Sequence, residues 1–96
     1  MTWEELLNYC NHCQRCALSQ TRKNVVVGKG NRNAPILFVG EGPGAQEDEQ
    51  GVPFVGQAGK LLDLALEAGG FTPDQYYIAN IVKCRPPGNR NPLREE

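Results

Sequence analysis

Apolar residues along this chain come in short runs divided by polar and glycine-rich stretches, and the spacing within each run predicts an element. Thr2-Trp3-Glu4-Glu5 has the form of a capping box, so a helix starts near Trp3 with Leu6, Leu7 and Cys10 on its inner face. Asn11 to Gln20, polar and rich in cysteine, reads as the irregular end of that helix and the loop after it. Val25-Val26-Val27, closed by Gly28-Lys29-Gly30-Asn31, reads as a strand entering a turn, and Ile36 to Val39 as a second strand stopped by Gly40, Gly42, Pro43 and Gly44. Between Gly56 and Gly69 the residues Leu61, Leu62, Ala65, Leu66 and Ala68 recur at helical spacing, and Gly69-Gly70 supplies a stop. After the turn at Thr72-Pro73-Asp74, Tyr76 to Lys83 is an apolar run broken only by Asn80 and reads as a third strand.

Strand, loop, helix and strand in that order describe a right-handed βαβ unit, whose parallel strands bring their carboxyl ends to one edge. The loop Glu41 to Gln50 and the proline-rich loop Cys84 to Pro92 are then neighbours, at the edge where open α/β sheets bind ligands. Three strands, one of them very short, leave apolar surface uncovered, and Pro92 followed by Glu95 and Glu96 reads as the start of another helix. The expectation is a fragment of a longer protein; a small complete domain, or an oligomer burying the open face, is the alternative.

Ninety-six residues with 40% hydrophobic content make one domain or less. A formal net charge of -1 gives no general attraction to nucleic acid or membrane, so either partner would have to be met by a local patch. The chain has no long apolar run, and its first residues lack the form of a signal peptide, so it reads as soluble and cytoplasmic. In that reducing setting the four cysteines are metal ligands or free thiols rather than disulfides.

Several side chains carry candidate chemistry. Glu41, Glu47, Asp48 and Glu49 make the glycine loop acidic, and its glycines lack the Gly-x-Gly-x-x-Gly spacing, so a nucleotide-phosphate loop is a poor reading. Asn80 must have its amide satisfied, either by neighbouring backbone or by a polar ring at the ligand edge. Phe54, in Gly51-Val-Pro-Phe-Val-Gly56, plugs the core or offers a stacking face for a base. Lys83, Arg85, Arg90 and Arg94, set among Pro86, Pro87 and Pro92, form either a solvated charge run or a grip on a phosphate backbone. Cys13, Cys16 and Cys84 are soft ligands suited to an iron-sulfur cluster or to zinc; Cys10, His12 or a cysteine beyond residue 96 are candidates for a fourth. A zinc-stabilised nucleic-acid-binding module without catalysis is the alternative function on these residues.

Taken together, Cys13-x-x-Cys16, Asn24-Val-Val-Val-Gly-Lys-Gly-Asn31, Gly40-Glu-Gly-Pro-Gly44 with Glu47-Asp48, Gly51-Val-Pro-Phe-Val-Gly56 and Ile78-Ala-Asn-Ile-Val-Lys-Cys-Arg-Pro-Pro87 with Asn89-Arg90 resemble the family 4, iron-sulfur uracil-DNA glycosylases. Phage-polymerase-related proteins share these motifs. The resemblance implies a three-layer α/β/α fold with a central parallel sheet, of which residues 1–96 are the N-terminal portion of a single domain. It also implies a hydrolase of base excision repair that flips uracil out of DNA and cleaves its N-glycosidic bond. By the same resemblance Glu41 lies near the sugar, and backbone amides around Gly42, Pro43 and Gly44 hold a pyrimidine oxygen. Glu47 lines the wall beside C5, Phe54 stacks on the ring, and Asn80 pairs with O4 and N3-H. Arg85 and Arg90 meet the DNA backbone. Cys13, Cys16 and Cys84 hold a [4Fe-4S] cluster whose fourth ligand falls beyond residue 96, with zinc as the alternative; Cys10 has no counterpart. The full-length protein is expected to be a monomer acting on uracil-containing DNA, with no membrane partner. The 96 residues, lacking the family's later histidine motif and DNA wedge, are expected to be weak or inactive alone. Ala45-Gln46 departs from two residues that are usually acidic.

Overall fold

A computed structural model describes residues 1–96. The first helix, α1 (Trp3–Asn11), begins where the capping pattern places it, with the Glu5 amide donating to Thr2 Oγ1 at 3.1 Å. A 3-10 turn follows at Ala17–Gln20, and its Leu18 is buried in the core. Three strands form the sheet: β1 (Lys29–Gly30), β2 (Ile36–Gly40) and β3 (Tyr76–Asn80), in the order β1-β3-β2. Two further helices lie between β2 and β3, α2 (Ala45–Gln50) and α3 (Gln57–Ala68).

Strands β2 and β3 are parallel, in a register that pairs Phe38 with Ile78 and Gly40 with Asn80. The first strand departs from expectation. Pairing falls on Lys29 and Gly30, antiparallel to β3, while Val25 to Val27 form no ladder. Val26 is nonetheless fully buried, and its amide donates to the Lys83 carbonyl at 2.8 Å, so the valine run is held by burial and this isolated bond. Strand β3 stops at Asn80, short of Lys83, because the amides of Ile81 and Val82 turn to the Gly40 and Glu41 carbonyls at 2.9 and 3.0 Å.

The acidic stretch after β2, read from sequence as a loop, contains α2. Its Gly44 amide donates to Glu47 Oε1 at 3.0 Å, half of a capping box, and two carboxylates in the first turn oppose the positive end of the helix. Gly51 closes it in the left-handed conformation, φ 74°, with its amide on the Glu47 carbonyl at 2.7 Å.

Residues paired across parallel strands share a face of the sheet. On the face of Phe38, Ile78 and Asn80, Phe71, which follows α3, packs edge-on to Phe38 at 6.3 Å. On the opposite face Trp3 of α1 packs against Tyr77 with ring centroids 5.4 Å apart. Only 12 of 96 residues are buried, so the core is thin, and two of those twelve, Asp48 and Asn80, are polar. Leu37 and Val39, beside Tyr77 and Ala79, stay 60% and 51% exposed, which is the uncovered apolar face expected from the pattern. No helix is long and apolar enough to cross a membrane.

Candidate functional site

The register of β2 and β3 places Gly40 and Asn80 side by side at the carboxyl edge of the sheet, and Glu41 is the next residue out. A Cβ on Gly40 would overlap Asn80 Oδ1 and stand 2.5 Å from Cζ of Phe54, so both side chains would have to move away from the strand end. The same absence of a side chain lets the Phe54 ring and the Asn80 carboxamide converge over the strand end. Phe54 adopts φ 56°, a left-handed conformation rare for an aromatic residue and one that clusters at functional sites. Gly59, buried near the start of α3, permits it, because any Cβ at that position would collide with the Phe54 carbonyl.

These residues line one cavity of about 230 Å³, formed by Gly42, Gly44, Glu47, Phe54, Gly59 and Asn80, with Ala58 at its rim. An adjoining cavity of about 130 Å³ shares Gly42 and Gly44 and adds Glu41, Pro43, Pro86, Asn89 and Arg90. Asn80 is 3% exposed, its side chain hydrogen-bonds to no protein group, and it leaves no sealed, unpartnered polar atom. Its amide therefore opens into the cavity rather than onto neighbouring backbone. The Lys83 ammonium caps the Asn80 main-chain carbonyl, leaving the side chain free.

Glu47, which the resemblance puts in the wall beside C5, lines the cavity and is also held by three backbone amides. Its Oε2 accepts from the amides of Val55 and Gly56 at 3.0 and 2.7 Å, and its Oε1 accepts from Gly44. Burial pushes its pKa up, but the amides of Gly56, Gly44 and Val55 outweigh that and leave it below the ordinary carboxylate value. It lines the cavity as a clamp between the glycine loop and the Phe54 loop. Glu47 takes the Gly44 amide and Pro43 has none, whereas the Gly42 amide donates to no protein group.

Asp48, grouped from the sequence with the carboxylates of the acidic glycine loop, is 2% exposed. Its Oδ1 accepts from the Lys23 and Asn24 amides at 2.8 and 3.2 Å, and the Asn24 carboxamide donates back to the carbonyls of Asp48 and Glu49. Arg22, one residue earlier, donates to Cys84 Sγ at 3.3 Å. The segment 22–24 thus bridges α2 to the cysteines. Neither Asp48 nor Arg22 showed any periodic signal that would have marked it as internal.

Cys10, Cys13, Cys16 and Cys84 all line a second, larger cavity of about 430 Å³, with Leu18, Val25, Ile81 and Val82 among its apolar walls. All four are free thiols. No three cysteine, histidine or carboxylate side chains converge as the ligands of a single ion do. Burial pushes the Cys84 thiol up in pKa, opposed by Arg22, with Cys16 and Cys13 adding to the rise. Burial likewise lowers Lys83, opposed by Cys10, so Cys10 is near the segment that carries Cys84. His12 is exposed, its Nδ1 lies 2.9 Å from the Asn8 carbonyl, and it lines no part of this cavity.

Of the basic residues, Arg85 is oriented by Asn89, whose Oδ1 accepts from Nε at 2.9 Å. Asn89 adopts φ 57°, a conformation asparagine tolerates better than most residues. Arg90 forms a bidentate pair with Glu96 at 2.8 and 2.9 Å, and this bond, seconded by the Leu93 amide, holds the Glu96 carboxyl at about 2.

A type-4 uracil-DNA glycosylase of Thermotoga maritima is 50% identical over 99 aligned residues, covering 99% of this chain and 52% of the relative. One from Pyrobaculum aerophilum is 48% identical over 96 residues, covering 100% of this chain and 49% of its own length. A DNA polymerase of Bacillus phage SP01 is 39% identical over 70 residues, 72% of this chain and 8% of that protein. The chain spans about half the length of the curated glycosylases it matches. The model of the uracil DNA glycosylase superfamily matches residues 27–96, which hold all three strands, the paired cavities at the carboxyl ends of β2 and β3, and Cys84, and the chain belongs to that superfamily.

Proposed function

We propose that the polypeptide carrying this chain is a uracil-DNA glycosylase, which everts uracil from DNA and hydrolyses the bond between C1′ and the base, leaving an abasic site for excision repair. The observation that carries this reading is the buried, unpartnered Asn80 carboxamide facing Phe54 across a small cavity. A carboxamide offers one acceptor and two donors, so it can accept from N3-H of uracil and donate to O4. Cytosine presents the opposite pattern at those positions and would leave the amide unsatisfied, a penalty of about 1–3 kcal/mol per group. Phe54 supplies the stacking face, and the Gly42 amide is positioned for a pyrimidine oxygen.

Glu41 is exposed on the adjoining cavity, and in this reading it meets the sugar of a base seated over Asn80. A carboxylate there orients the attacking water or stabilises the positive charge that develops on the sugar as the bond breaks. Arg90 lines that adjoining cavity and Arg85 is tied to Asn89 in its wall; both suit phosphate contacts, Arg90 exchanging Glu96 for the backbone.

The cysteine cavity, with four thiols among mainly apolar walls, offers soft ligands of the kind that hold a [4Fe-4S] cluster, with zinc as the alternative. Cys13, Cys16 and Cys84 are ligands in this reading. The cluster's contribution is structural, tying the first loop to the proline-rich loop that carries Arg85 and Arg90. For the whole domain we infer a three-layer α/β/α architecture in which further chain covers Leu37 and Val39. Residues 1–96 are its N-terminal portion, weak or inactive as a glycosylase without the remainder.

The test is a titration of this chain with free uracil, followed by nuclear magnetic resonance at the Asn80 side-chain amide, alongside release of uracil from a uracil-containing single-stranded oligonucleotide by the polypeptide at the length of its relatives. Uracil should shift the Asn80 amide while cytosine does not, and Asn80→Ala should lower excision about 100-fold, as expected for two lost hydrogen bonds. Undiminished excision by a folded Asn80→Ala variant would remove this residue from base recognition.

A further inference from the structure

We propose that Lys83 is a positioning residue for base recognition: by holding the Asn80 main-chain carbonyl, its ammonium fixes the direction in which the Asn80 carboxamide enters the base cavity. The proposal rests on the reading of Asn80 given above, and it takes Lys83 out of the basic run that would grip a DNA backbone.

The Asn80 carboxamide is held by no protein group although the residue is 3% exposed, so its aim is set by the backbone on either side of its Cα. That backbone stands at the end of the sheet. The pairing of β1 with β3 stops at Lys29 opposite Ile78, short of Asn80. Beyond Asn80, the Ile81 and Val82 amides turn to the Gly40 and Glu41 carbonyls at 2.9 and 3.0 Å, which fixes one side of this peptide. On the other side the Asn80 carbonyl lies past the ladder, and the Lys83 ammonium supplies the donor that a longer β1 would have given. A bond from a charged donor is stronger than the neutral one it replaces.

Lys83 is itself held for this task. Its carbonyl accepts from the amide of fully buried Val26 at 2.8 Å, which pins the main chain from which the side chain springs. The residue is half-buried and lines the cysteine cavity, so its side chain folds back along the protein. No carboxylate pairs with it, and the Asn80 carbonyl is the partner of its ammonium. A lysine serving a phosphate would instead keep its charge in solvent, as a long flexible stem allows.

The experiment compares uracil excision by the polypeptide at the length of its relatives with that of Lys83→Met, Lys83→Arg, Asn80→Ala and the double variant carrying Lys83→Met and Asn80→Ala. Values of kcat, KM and the salt dependence of DNA affinity are read separately. Lys83→Met keeps the aliphatic stem and removes the donor, so kcat should fall about 10-fold, as a slightly misaimed recognition group costs. KM and the slope of affinity against salt should match the parent, because no phosphate contact is lost. Lys83→Arg, which keeps a charged donor, should recover most of the rate. On the Asn80→Ala background, removing the amine should cost nothing more, since both residues act through one carboxamide. An equal loss on both backgrounds, or a shallower salt slope for Lys83→Met, would overturn the proposal and make Lys83 a separate support or a phosphate contact. If Lys83→Met does not fold, proton exchange at the lysine ammonium groups of the parent decides the matter by nuclear magnetic resonance. Exchange slower at Lys83 than at exposed Lys23 and Lys60 supports the bond, and equal exchange overturns it. Undiminished excision by Asn80→Ala would bring down the base-recognition reading and this proposal together, whereas a large loss there with none in Lys83→Met overturns this one alone.

Discussion

The base cavity and the cysteine cavity draw on one short segment, since Asn80 looks into the first while Val82 and Cys84 line the second, yet they are held by different means. The base cavity is fixed by the backbone: Gly40 and Gly59 allow close approach, Phe54 is held at positive φ, and Glu47 binds three amides from two loops. The cysteine cavity is made by side chains arriving from distant stretches, and a single hydrogen bond, Arg22 to Cys84, reaches any of its sulfurs. Helix α1, which brings Cys10, contains no buried residue. Shape is built into the first cavity by the chain alone, whereas the second depends on long-range docking that few internal bonds secure. Substitutions in the first should therefore act through strain and unpaired amides, and those in the second through the order of the first twenty residues.

The severest way to break the base cavity is Gly59→Ala. Its added methyl meets backbone at the Phe54 carbonyl, which cannot swing aside, so the variant should lose about 3 kcal/mol or more in denaturant unfolding. Retention of full stability would show that Phe54 is free to relax. Asp48→Ala tests the bridge between the two regions. It strips the Lys23 and Asn24 amides of their acceptor, an expected cost of about 1–3 kcal/mol, and should loosen the cysteine segment first. Amide hydrogen exchange should show residues 10–24 opening while β2 and β3 stay protected; uniform loss of protection would mean the regions unfold as one.

Glu47 sharpens the same contrast through pH. Its folded pKa lies below the unfolded carboxylate value near 4.5, so the clamp contributes its full stability above that pH and is lost as pH falls through the depressed folded value. Thermal melts should fall less steeply in acid for Glu47→Gln than for the parent chain, and parallel curves would show that the clamp does not control the acid limb. The smallest effect is expected for Glu96→Gln. The Arg90 end of the pair is open to solvent, which screens the attraction, so melting should scarcely change. Freeing Arg90 should instead tighten binding to single-stranded DNA at low salt, by a factor that shrinks as salt is raised.

Much of the framework was legible because it repeats a local rule. Thr2 and Glu5 mark the start of α1, the leucine spacing marks α3, and the two apolar runs around Phe38 and Ile78 become the parallel pair. The misses share a cause. Helix α2 has six residues and no apolar stripe, so its sequence looks like solvated loop until Glu47 and Asp48 are seen turned inward onto backbone amides. Val25 to Val27 have strand character, yet the partner edge of β3 is met by Lys29 and Gly30, and the valines are used for burial. Asn80 was visible as an interruption in an apolar run, but whether its amide was satisfied depended on what stands beside it.

By itself, then, the order of amino acids determined which stretches were helical or extended, that glycines end β2, and that cysteines stand ready at three-residue intervals, because each of these follows from interactions within a few neighbours. Only the tertiary structure decided that Asn80 has no partner in the protein, that Glu47 is a clamp and Asp48 a bridge, and that Cys10 shares a cavity with Cys84. Those outcomes depend on donors and acceptors far apart along the chain, and hydrogen bonding between remote groups leaves no period to read.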